Sequence, residues 1–484
     1  MTGTLDAVAA ASETTVAPRR RRTGRLLIGV GIVIMLAGLL FGYDQGVIAG
    51  ALHGIQSEFD IGTTLVEVIT SWVTLGALFG ALVAGVLADK LGRRITIVTA
   101  AALFVVGAAL EAFAPGPPVL VVGRLTVGFG VGVASVAAPL YASEMAPAHL
   151  RGRFVSMYQL AITVGIFIAY AVDQVLTNSD AWRAMLGVSA IPGLLLVLAI
   201  WPMPESPRWL IQREREHEAR DVICRCEPDC DVDARIDEIC ACIAADADSA
   251  SWRELFSKSI RTPLMIGVGL AVFQQITGIN AIIYYANEIF GAAGFETPQE
   301  QAAATTWAVG GVNVLATFIA VAYVDRFGRK PLLLTGLVGM AVSLTVVGFC
   351  FLSLDNATPD AGESMAGIFT LVGLVVFIAS FAFSLGPVVW TVINEIFPSR
   401  IRGRGVAVAT AANWGSAWLV SQFFLSLTDA IGTAATFWMF AFFSVLAFIW
   451  IKLRVPETKG KTLEEIEELW EPQRAAAVAA QVSP

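Results

Sequence analysis

Apolar windows of about 20 residues recur along the whole chain, separated by short polar stretches. Each window is long enough to cross ~30 Å of hydrocarbon at helical rise. The pattern predicts twelve spans, at 26–47, 66–88, 96–113, 119–141, 155–177, 183–203, 262–287, 303–324, 332–353, 366–390, 405–427 and 433–453. A backbone in hydrocarbon must satisfy its own polar groups, so these spans are helices. Lys and Arg gather at Arg19–Arg25, Lys90–Arg94, Arg151–Arg153, Arg208–Arg261, Arg326–Lys330, Arg400–Arg404 and Lys452–Lys461. The alternate loops (48–65, 112–118, 174–181, 288–302, 354–365 and 428–432) hold no Lys or Arg. Seven basic zones separated by twelve spans predict both termini in the cytoplasm, by the positive-inside rule. The first 25 residues read as a cytoplasmic tail, because the apolar run after Arg25 is too long for a signal peptide.

The pattern also repeats. SEMAPAHLRGR at 143–153 returns as NEIFPSRIRGR at 394–404, after the fourth and tenth spans. VLADKLGRR at 86–94 returns as AYVDRFGRK at 322–330, and Pro204-Glu205-Ser206 as Pro456-Glu457-Thr458. Three motif pairs in register predict two six-span halves, 26–205 and 261–454, which would enclose a midplane site and rock around it. Between them, 206–260 mixes apolar and charged residues at helical spacing and predicts short amphipathic cytoplasmic helices. A cytoplasmic tail, 455–484, holds another at Leu463–Trp470. The fold class is therefore an all-α membrane protein of twelve transmembrane helices in two pseudo-symmetric bundles.

Composition agrees. Only 15% of the 484 residues are charged and mean hydropathy is +0.70, where soluble domains sit near 25% charged. The net charge of −8 reflects the outer loops and the acidic tail and offers no basic face for nucleic acid. Five of six cysteines (Cys224, Cys226, Cys230, Cys240 and Cys242) crowd one cytoplasmic stretch, at a spacing that matches no zinc pattern. Gly128-x-Gly130-x-Gly132 lies inside a span with no preceding strand, so helix packing accounts for it better than a nucleotide loop. No nucleophile elbow, Walker motif or paired histidines appear. The expectation is no enzyme, no cofactor and no metal.

Candidate chemistry falls into three groups. In the loop Gly85-x-x-x-Asp89-Lys90-x-Gly92-Arg93-Arg94, Asp89 can pair with arginine and Gly92 permits a tight reversal. With Glu144, Arg151, Glu205 and Arg208, and with Asp325, Arg329, Glu395, Arg402 and Glu457 in the second half, it supplies a cytoplasmic charge network that must open as the bundles move. The reading pairs Glu144 with Arg151 and Glu395 with Arg402. Inside the spans, Asp44 sits near the outer end of the first and Arg124 begins the fourth, the lone midplane acid–base pair of that half. A moving arginine would make Asp44 a proton switch; alternatively Asp44 is interfacial and hydrated by the outer loop. The third group is Gln159, Gln274, Gln275, Asn280, Asn313, Trp390, Asn413 and Trp414, whose amides and indoles suit a polyhydroxyl ring. Each alone could be helix–helix glue.

Together these motifs resemble the sugar porter family of the major facilitator superfamily. The resemblance is carried by GVLADKLGRR (85–94), GRLTVGFGVG (123–132) with PLYASEMAPAHLRGR (139–153), PESPRWL (204–210) and QQITGIN (274–280). VDRFGRKPLL (324–333), GPVVWTVINEIFPSRIRGR (386–404) and VPETKGKTLEEIE (455–467) extend it. It implies two bundles around a central sugar. Gln159, Gln274, Gln275, Asn280, Asn313, Trp390 and Asn413 match sugar-contacting positions, and Asp44 and Arg124 match the pair linked to proton coupling in bacterial members. Mammalian facilitators have Asn where Asp44 stands. Val321 replaces the glycine that opens the second charged loop, while Leu385 and Ile166 stand where a xylose-carrying member has Trp and Gln. The expected function is proton-coupled uptake of a monosaccharide (hexose or pentose) or related polyol. The rivals are an uncoupled facilitator, a transporter-like sugar sensor and a drug–proton antiporter. The expected setting is a plasma (bacterial inner) membrane, with lipid around a protein that works as a monomer.

Overall fold

The computed structural model describes residues 24–179, 181–228, 230–247, 255–257, 260–355, 365–398, 401–459 and 465–466. The predicted N-terminal tail and most of Leu463–Trp470 lie outside them.

The N-terminal half is built from α1 (Arg25–Phe59), α2 (Thr63–Leu91), α3 (Arg93–Ala112), α4 (Pro117–Met145), α5 (Ala148–Leu176) and the pair α6 (Trp182–Val188) and α7 (Ala190–Ile200). The first helix runs well past the predicted span. IAGALHGIQSEF, expected as outer loop, continues the helix until Asp60 turns left-handed at φ 46°. Three short helices follow: α8 (Pro207–Gln212), α9 (Glu216–Cys226) and α10 (Val232–Ala247). On α9, Ala219, Val222, Ile223 and Cys226 are buried while Glu216 and Arg220 face out, as the mixed pattern predicted.

The C-terminal half is more broken. Its first passage is α11 (Arg261–Ile276), α12 (Ile279–Tyr284) and α13 (Ala286–Ala292), where one helix was expected. The break falls at Gly278, whose φ of 95° few other residues adopt. Next come α14 (Pro298–Ala304), a π-turn at Thr305–Gly311 and α15 (Val312–Phe327), then α16 (Arg329–Asp355). The tenth passage splits at Ser384 into α17 (Met365–Phe383) and α18 (Leu385–Ile396). The eleventh splits at Phe423 into α19 (Arg402–Gln422) and α20 (Phe424–Ile431), and α21 (Thr433–Arg454) closes the set.

Eleven stretches among the described residues are long and apolar enough to cross a membrane. The passage formed by α19 and α20 is the exception to that measure. It carries Arg402 and Arg404 and buries Asn413, Ser416, Ser421 and Gln422, which lower its hydropathy.

In the first half α1 packs on α5, α2 and α3 on α4; in the second, α16 packs on α21 and α17, α11 on α19. The glycine row of α4 makes this close: a Cβ on Gly128 or Gly132 would lie 2.0 or 2.2 Å from a carbonyl oxygen of α2. Helix packing, not nucleotide binding, explains the row.

Candidate functional site

Among the hydrogen bonds that join the halves, several lie towards the ends predicted to face outward. Glu67 of α2, 1% exposed, accepts from the backbone N–H and the hydroxyl of Ser426 in the first turn of α20, both at 2.7 Å. Ser71 donates to Gln422 Oε1 at 2.8 Å. The Tyr170 hydroxyl donates to Ile283 O at 2.8 Å, and the Thr306 hydroxyl to Tyr170 O at 2.9 Å. Gln45 reaches the Tyr284 hydroxyl at 3.4 Å. A cavity of about 310 Å³ lies beside these outer ends, lined by His53, Trp182 and Glu288 among others, and touches none of the predicted sugar amides.

Arg124 sits in the first half, fully buried. Its Nη1 donates to Asp44 Oδ1 at 3.0 Å and its Nε to Ile69 O at 3.2 Å. Asp44 is 2% exposed and lies mid-way along the 35-residue α1. The hydrated interfacial alternative is therefore excluded, and its position near an outer helix end is corrected: the helix extends twelve residues beyond the predicted span. A second correction concerns company. Glu111 of α3, 1% exposed, places Oε1 3.6 Å from the same Arg124 Nη1. The pair is a triad. Sequence reasoning missed Glu111 because it falls where the third span meets the predicted loop. The usable signal was a carboxylate in the last turn of an apolar helix, shortly before the helix that carries Arg124.

The amides form the second constellation. Asn413 Nδ2 donates to Gln274 Oε1 at 2.8 Å and to Ala271 O at 3.1 Å. Gln275 Nε2 donates to Asn413 Oδ1 at 3.3 Å, and Asn280 Nδ2 to Gln275 Oε1 at 2.8 Å. Gln274 Nε2 donates to Leu385 O at 2.7 Å, beside the break between α17 and α18. All four residues are less than 8% exposed. The kink at Gly278 sets Asn280 back beside Gln275, and the α11–α19 contact supplies Asn413. Trp414 is buried against Phe41 of the other half, ring centroids 5.4 Å apart. Asn313 is buried on α15, Gln159 is half-buried on α5 and Trp390 half-buried on α18, but no hydrogen bond ties their side chains to the four amides.

In the charged loops Arg93 meets Glu144 at 2.9 Å and Asp89 at 3.4 Å, and Arg208 approaches Glu144 at 4.0 Å. Ser206 donates to Glu144 Oε2 at 2.5 Å and caps α8. Glu205 accepts from the backbone N–H groups of Arg93 (2.8 Å), Arg94 and Ser206, while the Arg94 guanidinium donates to Trp201 O. The second half repeats this: Arg329 meets Glu395 at 3.2 Å, and Glu457 accepts from the N–H groups of Arg329, Lys330 and Lys459. Gly92 (φ 94°) and Gly328 (φ 89°) turn each loop. Burial pushes Glu205 above the ordinary carboxyl range against the N–H groups that pull it down. For Glu457 desolvation also raises, but four backbone N–H groups outweigh it and hold it below that range.

The predicted Glu144–Arg151 pairing is corrected. The chain leaves α4 at Ala146 in extended backbone and restarts after Pro147, so Arg151 is not on the Glu144 helix. Glu144 is taken by Arg93, Ser206 and Arg208 instead, and Arg151 Nε has no partner. Glu395 pairs with Arg329, and Arg402 Nε donates to Phe397 O. The side chain of Asp325 lies outside the described residues.

The model of the family described as "Sugar (and other) transporter" matches residues 30–470. The chain belongs to this family. As a sugar porter of the major facilitator superfamily, a non-enzymatic class of membrane carrier, it has similar relatives along nearly its whole length. It is 41% identical over 461 residues to the arabinose-proton symporter of Escherichia coli (strain K12), covering 94% of this chain and 96% of that one. To the galactose-proton symporter of the same strain it is 40% identical over 457 residues, covering 93% and 96%. The inward-open structure of the E. coli xylose transporter XylE matches this porter with a TM-score of 0.78 at 32% identity, covering 92% of this chain and 100% of that one.

Proposed function

We propose that the protein takes up a monosaccharide together with protons by alternating access. The carrying observation is the buried Asp44–Arg124 pair in one half, facing a hydrogen-bonded amide cluster in the other. A guanidinium in an apolar interior needs a charged partner, and one that must change partners as the bundles swing responds to protonation. Protonating Asp44 frees Arg124 to turn; the amides offer donors and acceptors to sugar hydroxyls, and Trp414 a flat apolar face. Relatives named as arabinose-proton and galactose-proton symporters, and one named as a glucose transporter, favour the same class of substrate.

The conformation fits a cytoplasm-facing state, given the outer contacts at Glu67, Ser71 and Tyr170 and the likeness to the inward-open XylE. In this reading both termini are cytoplasmic, the site of action is a plasma or bacterial inner membrane, and the monomer in lipid is the working unit. Arg93–Glu144 and Arg329–Glu395 are the charge pairs that break and re-form on the cytoplasmic side.

The test is uptake of labelled L-arabinose, D-galactose, D-xylose and D-glucose by proteoliposomes, with and without a proton gradient. At least one sugar should accumulate only with the gradient, and Asp44→Asn should abolish accumulation. Uptake that ignores the gradient identifies an uncoupled facilitator, and no uptake at all defeats the reading.

A further inference from the structure

The Arg124 site holds one base and two acids. Asp44, Glu111 and Arg124 are each no more than 2% exposed. Nη1 of Arg124 is hydrogen-bonded to Asp44 at 3.0 Å but stands 3.6 Å from Glu111, whose Oε1 has no hydrogen-bond partner; Nη2 of Arg124 has none either. Glu111 is not there by default. A Cβ on Gly123 would lie 2.7 Å from Glu111 Cγ, so the carboxylate occupies room that only a glycine on α4 leaves.

No other charge balances the set. Helix α3 packs on α2, α4, α6 and α7. Helix α7 brings no ionisable residue to this contact. Glu67 on α2 is engaged with Ser426, and Arg183 on α6 pairs with Glu58 and donates to Ala114 O at 3.0 Å. From the opposite half, Tyr284 reaches Gln45, the neighbour of Asp44.

We propose that Glu111 is the third member of the proton-coupling site and that the site seals only when it holds one proton. The proposal rests on the function proposed above. With no proton the set carries one negative charge in excess, and sealing an uncompensated charge in an apolar interior is strongly unfavourable. With one proton it is neutral in two arrangements. In the first, which the 3.0 Å Asp44–Arg124 contact and the 3.6 Å distance to Glu111 fit, Asp44 is ionised against Arg124 and Glu111 is protonated. In the second, the proton sits on Asp44 and Arg124 has turned to ionised Glu111. Passing between them breaks one carboxyl O–H bond and forms another, with no net charge change. An Asp–Arg pair alone behaves oppositely: it is neutral without the proton and positive with it. Glu111 thus makes the proton a condition of closure.

Two measurements test this. The first uses infrared difference spectra, which register the C=O stretch of a protonated carboxylic acid and need no sugar. At neutral pH the wild type should show such a band that is absent from Glu111→Gln. It should also be absent from Asp44→Asn, where Glu111 ionises to pair with Arg124. A band that survives in either variant overturns the proposal, and Asp44→Asn keeps the test alive should Glu111→Gln fail to fold. The second compares gradient-driven accumulation with sugar counterflow in proteoliposomes, using whichever of the four sugars the wild type carries. Glu111→Gln should lose accumulation at least tenfold relative to counterflow, and Glu111→Asp should regain part of it. Equal losses of both, or wild-type accumulation, overturn the proposal. Absence of any wild-type uptake defeats the sugar reading instead, and the infrared band still decides Glu111.

Discussion

Glu67 is an acid on one half that grips a helix start on the other, so removing it should loosen the outer closure. The carboxylate receives two short charge-assisted hydrogen bonds from Ser426, at 2.7 Å each, in a site that is 1% exposed. It also lies at the N-terminal end of α20, where free backbone N–H groups and the helix dipole favour an anion. Each such bond contributes about 1.5–3 kcal/mol. Glu67→Ala removes both, and once the halves part, water satisfies Ser426. The closed state should therefore lose at least about 3 kcal/mol against the outward-open one, roughly a hundredfold in population. The assay is the reactivity of Thr70→Cys towards an impermeant maleimide added outside, in a background with the native cysteines replaced. Thr70 is fully buried on α2, one turn from Glu67. Labelling should speed up about a hundredfold in Glu67→Ala and about tenfold in Ser426→Ala, which loses only the hydroxyl bond. Unchanged labelling in Glu67→Ala would refute the latch.

Other expectations follow from the same geometry. Asn413→Ala removes an amide from the proposed sugar site, leaves a Gln275 N–H unpaired and leaves Gln274 Oε1 with only the 3.5 Å contact to Gln275, so KM for sugar should rise roughly tenfold or more and the thermal unfolding temperature should fall (about 1–3 kcal/mol per stranded group). Gly92→Ala should destabilise more than Gly328→Ala in a thermal-shift assay. Both glycines have positive φ, but the new Cβ would meet Glu205 Oε2 at 2.3 Å in the first loop and Glu457 Oε2 at 3.2 Å in the second. Glu457, held below its ordinary value, stabilises the loop above about pH 4.3, the unfolded-state value. That contribution is lost as pH falls through the lower folded value, so the unfolding gap between wild type and Glu457→Gln should be open at neutral pH and close in acid.

The sequence made the helix count, the repeat and the amide cluster legible because each is written in local pattern: apolar length, basic loops and paired motifs. Gln274, Gln275, Asn280 and Asn413 do meet, and Arg124 does find Asp44. What pattern could not carry is where a helix stops and which face a polar residue turns. The interfacial alternative for Asp44 arose only because α1 was read as ending twelve residues early. Glu111 was passed over near the end of the third span because nothing local says that Gly123 leaves room for it beside Arg124. The Arg151 and Arg402 pairings were misread for a related reason. A proline turn separates Glu144 from Arg151, and the true partners, Arg93 and Arg329, come from distant loops.

Among the described residues the two halves mirror each other in the charged loops around Arg93 and Arg329 but differ in their buried middles. Acids and a base occupy the middle of one; amides and an indole occupy the middle of the other. On the proposed function, energy source and cargo are read by separate walls, which touch through Phe41 and Trp414 and through Gln45 and Tyr284. Substitutions in the amide wall can retune which sugar is accepted and leave the driving reaction untouched, so one engine can serve many cargoes by altering a single wall.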